Sequence, residues 1–561
     1  MGKRMVALVM AALLVCMTLG GCGKQEKKPT DSNGTKDQMQ EEKNGNNGQK
    51  EQEDSKEQGE ESQGQQEASE PVELSIWIPW SSEFLENPSE LVSVQEIDKL
   101  TNTKTKWISV NRNTEAREKF GLLMASGDLP DMIWSAEVYY TGGLVQMQQD
   151  GLIHDLTDVI PTMPNYSGIL AADAELEKEV TSDDGRKLGI WFLNSDNMDV
   201  CGGTLWNGPL IRRDWLQKVN RSVPVTMDDW HDTLLAFKNE IGCASPLMLS
   251  KTGADPMGGC FLTAFDVAPE FFQQDGTVKY GPLEPGYQEY VETMHDWYAE
   301  GLIDQNFTAN DPSENLQADT ANDKAGAGCA LWGYGANIPY LNGLTTNEDF
   351  YLEGAPYPVR TNGDTPKAMF NRSSVKQSVT ITTACKNVEA AAKWLDFWYS
   401  EQGMLLANWG VEGDTYEIGE DGKPYLTDTV LKNEEGLTPM QKLGYYSLTT
   451  SNLGLYDLNI VYQTNSEGSA FDAQYVWEEG CDCSWYYPAN ATMTEEETRN
   501  FNAKYTDIKT IVDEMTVKFI MGTVPLSEYD AFVESMENYG IAECISYKQA
   551  ALDRYNARTS K

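Results

Sequence analysis

The sequence predicts an α/β fold whose body is long enough for two domains or for one fold with two lobes. Strand and helix patterns alternate from Pro71 to Lys561, an order typical of α/β layering. The body is also longer than a single hydrophobic core usually organises. The 561 residues carry 43 basic and 87 acidic side chains, a net charge of −44. A negative field of this size repels nucleic acid, so no nucleic-acid partner is expected.

The N-terminus is built like an export signal that ends in a lipid-attachment site. Lys3 and Arg4 precede an apolar run, 5–19, and Leu19-Gly20-Gly21-Cys22 follows it. The run is shorter than the ~20 residues that span a bilayer, so it predicts a signal segment rather than a membrane helix. The end resembles a lipobox, which predicts acylation of Cys22, for example with palmitate. The alternative is an ordinary signal peptide with an incidental cysteine.

The segment 23–70 predicts a disordered tether. It contains no aromatic residue, and Met39 is its one large apolar side chain. Such a segment cannot bury enough apolar surface to offset its ordering entropy. As a flexible coil it would span roughly 35–40 Å, a length that suits holding a soluble body away from a membrane.

The body contains several well-marked elements. Alternating apolar residues over 73–79 predict a strand, and Met132-Ile133-Trp134 predicts another. Helical spacing predicts four helices. The first starts near Thr226 and ends at Gly242, and the second starts at Asn387 and ends at Gly403. The third contains Ile508 to Phe519 and ends at Gly522, and the fourth starts at Ser527 and ends at Gly540. Five tryptophans lie among apolar neighbours at helical spacing and are predicted to be core: Trp215, Trp230, Trp297, Trp394 and Trp398.

The cysteines and histidines predict neither a disulfide framework nor a metal site. The chain has ten cysteines and three histidines. In a body this large most of the cysteines are expected to be buried thiols, with one or two disulfides left open, for instance at Cys481 or Cys483. A zinc site needs several ligands at regular spacing, and each histidine is isolated. The loop 181–187 also lacks the alternating oxygen ligands of a calcium loop. No metal or cofactor is predicted.

The body resembles the extracellular solute-binding proteins of the sugar-binding group (family 1), in particular the large lipoproteins of carbohydrate ABC importers in Gram-positive bacteria. The matching segments follow the order of that family. They are 73–80, the Ala-Ser-Gly-Asp-Leu-Pro-Asp stretch within 124–134, 151–157, 210–216 with 224–226, 298–304, 399–403 and 522–526. The Ala-Ser-Gly-Asp-Leu-Pro-Asp stretch is the most specific of them.

This resemblance implies a two-lobed, periplasmic-binding-protein-like fold of type II, with hinge strands and a ligand cleft between the lobes. It implies a signal at 1–22, a tether at 23–70, a first lobe of 71–190 with 357–415, and a second lobe of 191–356 with 416–561. The chain is expected to cross between lobes near 188–194 and 355–359, and again after the helix ending at Gly403.

The resemblance also implies the ligand, the partners and the site residues. The ligand is expected to be an oligosaccharide, the partners permease subunits and the membrane through acylated Cys22, and the protein a monomer on the outer face of the cell membrane. The implied ligand contacts are Trp80, Ser81 and Ser82 after the first strand, Trp134, Glu137 and Tyr139 after the second, and Trp332 and Tyr334 after a strand of the second lobe. Aromatic planes suit the C–H faces of sugars, and polar groups suit the hydroxyls.

Two other functions were weighed against sugar uptake. One is a binding lipoprotein of the same fold that takes another solute, such as a peptide, or serves a sensor. The other is a glycoside hydrolase, which needs only a pair of carboxylates a few ångströms apart. The chain contains no Gly-x-Ser-x-Gly, His-Glu-x-x-His or P-loop motif, and a protein that is not an enzyme is predicted.

Overall fold

The computed structural model describes residues 70–558 except 83, 113–114, 195–206, 252–258, 310–311, 332–346, 348, 369–374, 449–452, 458 and 465–468. The predicted signal, Cys22 and all but the last residue of the predicted tether therefore lie outside the described residues. Residues Ala68–Lys561 form one compact unit. No helix in the described part of the chain is long and apolar enough to cross a bilayer.

The strands are β1 Val72–Pro79, β2 Thr103–Val110, β3 Met132–Trp134, β4 Ile190–Asn194, β5 Asn207–Arg212, β6 Ser245–Met248, β7 Phe271–Gln274, β8 Thr277–Tyr280, β9 Ala325–Leu331, β10 Leu352–Gly354, β11 Val375–Ile381, β12 Tyr416–Ile418, β13 Pro424–Leu426 and β14 Leu455–Tyr456. The helices are α1 Val92–Thr101, α2 Ala116–Ser126, α3 Ala136–Tyr139, α4 Gly143–Gln149, α5 Pro164–Ala172, α6 Ala174–Val180, α7 Arg213–Lys218, α8 Met227–Ala236, α9 Gly259–Leu262, α10 Pro285–Ala299, α11 Pro312–Ala321, α12 Val388–Phe397, α13 Glu401–Asn408, α14 Asp428–Leu431, α15 Pro439–Leu443, α16 Asn459–Thr464, α17 Ser469–Glu478, α18 Glu495–Ile520, α19 Tyr529–Asn538 and α20 Ile541–Asn556.

Two separate mixed sheets organise the molecule into two lobes. The first lobe is built on a six-stranded sheet of order β14-β4-β11-β3-β1-β2, and the second on a four-stranded sheet of order β10-β5-β9-β6. In the first sheet β1 runs parallel to β2 and β3, while β11 runs antiparallel to β3 and β4. Each sheet buries its own hydrophobic cluster, so the predicted two-lobed α/β architecture is confirmed.

The chain crosses between the lobes three times, and each crossing lies between a residue that packs in one lobe and the next residue that packs in the other. The first lies between β4 and β5, next to the predicted position. The second lies between Ala368, in the second core, and Val375, in the first, and so comes later than predicted. The third lies between β14, which pairs with β4, and α17, whose Trp477 packs in the second core. The boundary placed at 415/416 therefore falls after 456 in the structure.

The late third crossing has a physical cause in a small third cluster. Residues after α13 form the β12–β13 hairpin with α14 and α15, and they pack around Trp409 and Tyr416. The same cluster contains Phe192 on β4 and Tyr456 on β14. Because these aromatic residues belong to the first sheet, the segment is held on the first lobe.

The predicted strands are confirmed as β1 and β3, and the Thr226 start as a complete capping box with Asp229. The five tryptophans predicted to be core are each at most 3% exposed.

The helix predicted to start at Asn387 and end at Gly403 is instead two helices. Ser400 caps the second, accepting a bond from the Gly403 amide. A Cβ on Gly403 would lie 1.9 Å from the Phe397 carbonyl oxygen, so glycine is needed for close packing, not as a helix end.

The structure contains disulfides of the kind that the sequence left open, and Cys483 takes part in one. Cys260 and Cys329 form a disulfide that joins α9 to β9. Cys243, Cys385 and Cys544 are buried thiols, as expected.

Candidate functional site

The first lobe presents one sheet edge at which several strand ends meet. The carboxyl ends of β1, β2, β3 and β4 meet there with the start of β11, since β11 is antiparallel to β3 and β4. Ligands of open α/β sheets bind outside the carboxyl ends of the strands. The polar or aromatic segments at this edge are 80–82, 111–112, 135–139 and 376–377.

The second lobe has a corresponding edge where β6 and β9 end and β5 begins. The segments that leave this edge, 195–206, 252–258 and 332–346, lie outside the described residues. The predicted contacts Trp332 and Tyr334 belong to the last of these. The described part of the edge contains Asn207, whose carbonyl accepts a 2.5 Å hydrogen bond from the Tyr357 hydroxyl.

The segment after β1 combines a packed indole with two serines. Trp80 is 8% exposed, and its amide donates to the Val110 carbonyl at 2.9 Å, which ties the ends of β1 and β2 together. Ser81 is exposed. The Ser82 hydroxyl accepts bonds from the Phe84 and Leu85 amides at 3.1 and 3.3 Å. It thereby shapes the turn and keeps its own proton to donate.

Trp134 lies in the core of the first lobe rather than open to the cleft. It is 1% exposed, and its ring centroid is 6.0 Å from that of Trp107. The reason is strand alternation: Trp134 shares a face of the sheet with Met132, and that face packs against the helices of the first core. Its indole nitrogen is nevertheless buried without a hydrogen-bond partner, so one donor remains unsatisfied close to the sheet edge.

Glu137 is held against the sheet by one serine. Its carboxylate accepts bonds from the Ser378 hydroxyl at 2.6 Å and from the Ser378 amide at 3.0 Å. Burial raises the pKa of Glu137, while these hydrogen bonds act in the opposite direction. The residue is thus a fixed acceptor at the start of α3, directly after the β3 strand.

Tyr139 is a partly buried ring at the far end of α3. Its centroid lies 5.7 Å from Trp77 and 5.6 Å from Phe120, and the Arg117 guanidinium lies 5.8 Å above it. Burial raises its pKa, and the positive charges of Arg112 and Arg117 partly offset the increase. Tyr139 and Glu137 therefore lie together at the edge, as the sequence predicted for the segment after β3.

Sequence reasoning missed the contribution of β11 and β4 to this edge. The Lys376 ammonium lies 5.5 Å from the Phe192 ring and 5.6 Å from the Tyr456 ring. The Gln377 side-chain nitrogen and the Trp191 indole nitrogen are buried without hydrogen-bond partners. The available signal was the polar run Lys376-Gln377-Ser378 in the first half of the strand, ahead of the apolar Val379 and Ile381.

The groups at this edge of the first lobe are ones that can bind a ligand. Among the residues that the structure describes, no group of three or more histidine, cysteine or acidic side chains could hold a metal ion. What the first lobe provides is a hydroxyl donor at Ser82, indole and amide N–H groups, the Glu137 acceptor and aromatic rings. These are groups that suit a neutral, hydroxyl-rich ligand.

Comparison with known proteins decides the relationship. No family model matches the chain. The fructooligosaccharide ABC transporter substrate-binding protein FusA of Streptococcus pneumoniae is 23% identical over 504 residues, which cover 84% of this chain and 88% of the relative. The polygalacturonan/rhamnogalacturonan-binding protein YtcQ of Bacillus subtilis is 22% identical over 489 residues, covering 83% of this chain and 89% of the relative. The chain is a homologue of ABC transporter substrate-binding proteins.

A solved structure gives the same answer for the fold. An extracellular solute-binding protein from Bifidobacterium longum subsp. infantis has a TM-score of 0.70 at 16% identity, covering 86% of this chain and 98% of that chain. The chain therefore has the two-lobed fold of solute-binding proteins. Its relatives and structural neighbours are binding proteins rather than enzymes.

Proposed function

We propose that this protein captures an extracellular oligosaccharide and delivers it to the permease of an ABC importer, while Cys22 anchors it to the outer face of the cell membrane. The observation that carries the proposal is the sheet edge of the first lobe. Ser81 and Ser82 follow β1 and Glu137 and Tyr139 follow β3 at this edge, and ligands of open α/β sheets bind outside the carboxyl ends of the strands. The sugar ligand is supported by the homologues, since FusA is a fructooligosaccharide ABC transporter substrate-binding protein and YtcQ a polygalacturonan/rhamnogalacturonan-binding protein.

Within this proposal the two lobes have different roles. Trp80, Ser81 and Ser82 with Glu137 and Tyr139 form the first-lobe half of the site, and Gln377 and Trp191 add N–H donors that lack partners. Trp134 joins them through its indole nitrogen rather than its ring face. Trp332 and Tyr334 supply the second-lobe half. A monomer suffices, because one chain contains both halves.

The test is a ligand screen on the compact unit 68–561. Thermal-shift measurements against a panel of oligosaccharides of varied composition and length, with short peptides as a second panel, should show stabilisation by a sugar. A ligand at 100 times its Kd adds about 2.7 kcal/mol to the free energy of unfolding. Titration calorimetry then gives the affinity. Stabilisation by peptides with none by any sugar would overturn the sugar assignment while leaving a binding protein of this fold.

A further inference from the structure

A charged junction joins the two lobes through side chains of α20 and of the turn after α6. The helix α6 belongs to the first lobe, because its Leu176 and Val180 pack in the first core. The helix α20 belongs to the second lobe, because its Ile541 and Cys544 pack in the second core. The turn that follows α6 brings Asp183 against the last turn of α20.

Asp183 uses both carboxylate oxygens across this junction. Oδ1 lies 2.8 Å from the Arg558 Nε, and Oδ2 lies 3.0 Å from the Arg554 Nε. Arg554 continues the network within the second lobe to both oxygens of Glu497, at 3.0 and 2.5 Å. A single aspartate of the first lobe is thus bound by two guanidinium groups of the second.

Other contacts surround the Arg558 side chain. It is 3% exposed and donates to the Asn490 carbonyl at 2.7 Å and to the Lys178 carbonyl at 3.3 Å. The Tyr555 ring lies between two cations, 4.5 Å from the Lys178 ammonium and 4.8 Å from the Arg558 guanidinium. Since Lys178 is on α6, the ring contact also links the two lobes.

The turn that holds Asp183 is itself fixed to the first lobe. Asp184 pairs with Arg186 at 2.6 Å, and Arg186 also contacts Gln148 of α4. Lys187 pairs with Glu177 of α6 at 3.0 Å. A movement of the second lobe relative to the first therefore cannot be absorbed by this turn and has to act on the Asp183 ion pairs.

We propose that the Asp183–Arg554–Arg558 junction is an ionic latch that fixes the angle between the lobes. An exposed ion pair contributes little, but Arg558 is shielded from water, so removing its anion leaves a desolvated charge without a counterion. Such a latch biases the hinge equilibrium even without ligand. The inference concerns the fold alone and does not depend on which solute is bound.

The experiment compares neighbouring aspartates of the same turn by small-angle X-ray scattering on the compact unit 68–561 without ligand. Asp183→Asn should increase the radius of gyration and broaden the distance distribution, because the released lobes sample wider angles. Asp184→Asn is the matched control: it also removes an arginine-paired carboxylate, but one whose partner lies in the same lobe, and its scattering should match the wild type. Asp183→Glu keeps the charge and should restore part of the wild-type profile.

Salt provides a second arm, because ion pairs weaken as the Debye length falls to ~3 Å near 1 M salt. The wild type should shift toward the Asp183→Asn profile at that concentration, while Asp183→Asn should respond less. The melting temperature of each variant reports the stability of the fold, so it distinguishes a loss of stability from a change in the angle between the lobes. A lower melting temperature of Asp183→Asn with unchanged scattering would overturn the latch, since the junction would then only stabilise the fold. Unchanged scattering and unchanged stability would overturn it as well.

Discussion

Glu137 is the titratable group at the proposed site whose environment the structure defines most closely. Burial raises its pKa, so the folded protein prefers the protonated form relative to the unfolded chain. A raised acid pKa contributes stability that is present below the unfolded value and is lost as the pH rises through the folded value. The buried carboxylate thus has a cost at neutral pH that the two Ser378 hydrogen bonds reduce.

Glu137→Gln should therefore change the pH dependence of stability. The variant lacks the ionisation, so its free energy of unfolding relative to wild type should be more favourable at pH 7 than at pH 4. Urea unfolding of both proteins at the two values measures this difference. A ΔΔG that stays constant between the two values would show that the carboxylate titrates as it does in the unfolded chain. Loss of sugar binding at neutral pH would in addition place the negative charge in the site.

The paired substitution of two tryptophans separates a ligand platform from core. Trp332→Ala should weaken sugar binding by roughly 5- to 150-fold, because the loss of one aromatic contact costs about 1–3 kcal/mol of binding free energy. The substitution should have little effect on folding. Trp394→Ala is the control, because Trp394 is fully buried and its indole donates to Asp98 at 2.9 Å. It should lower the free energy of unfolding by ~3–5 kcal/mol. Calorimetry and melts together decide, and equal melting behaviour of the two variants would make Trp332 structural.

At the scale of elements, the Cys260–Cys329 disulfide lies at the base of two second-lobe segments. Cys260 follows 252–258 closely, and Cys329 lies three residues before Trp332. The bridge closes 69 residues of sequence. Replacing both cysteines with alanine should lower the free energy of unfolding by about 2–4 kcal/mol through the entropy regained by the unfolded chain. It should also weaken sugar binding, because the proposed contact Trp332 follows Cys329 by three residues in the sequence.

The control for this pair is Cys243→Ala in the same core, where a buried thiol donates to the Lys324 carbonyl at 3.2 Å. A reducing agent should lower the melting temperature of Cys243→Ala by no more than it lowers that of the wild type. Wild type should lose more stability on reduction than the double variant, which keeps only the disulfide of Cys483. A wild type indifferent to reduction would mean that the bridge contributes nothing to stability.

The elements show where sequence reasoning succeeds and where it does not. Local patterns such as the Thr226 capping box and the strand β1 depend on neighbours in sequence, so they could be predicted. Gly403 could not be interpreted correctly, because its role depends on the approach of the Phe397 carbonyl, a contact made by the fold. The burial of the Trp134 ring could not be predicted for the same reason: the sequence shows that it ends a strand, but only the packing of α1 and α12 shows which face is covered.

The lobe boundaries could not be predicted accurately from the sequence, because they depend on contacts between residues far apart in the chain. A two-residue strand, β14, pairs with β4 and so assigns the segment up to 456 to the first lobe. No periodicity in two residues can predict this. The segment after β3 could be proposed from the sequence because the carboxyl end of a strand is a general ligand position. Gln377 could not, because β11 reaches that edge by its amino end.

At the scale of the whole molecule, two lobes that share one ligand are expected to close over it. A ligand that contacts both lobes favours the closed state by its difference in affinity for the two states. Small-angle scattering should show a smaller radius of gyration when a sugar from the screen is added to saturation. Trp332→Ala at its own saturating concentration should close less completely. An unchanged profile with bound sugar would contradict hinge closure and leave one fixed lobe angle.

The last prediction concerns how the molecule is held at the membrane. The predicted export signal ends at Cys22, the proposed site of acylation. Acyl chains contribute ~0.8 kcal/mol per buried CH₂, and two or more chains anchor stably. Cys22→Ser removes the attachment atom and should move the protein from the membrane fraction to the medium. Cys16→Ser alters a cysteine of the same apolar run and should leave the protein with the membrane. A Cys22→Ser protein that stays with membranes after a salt wash would show that the anchor is not a lipid on this residue.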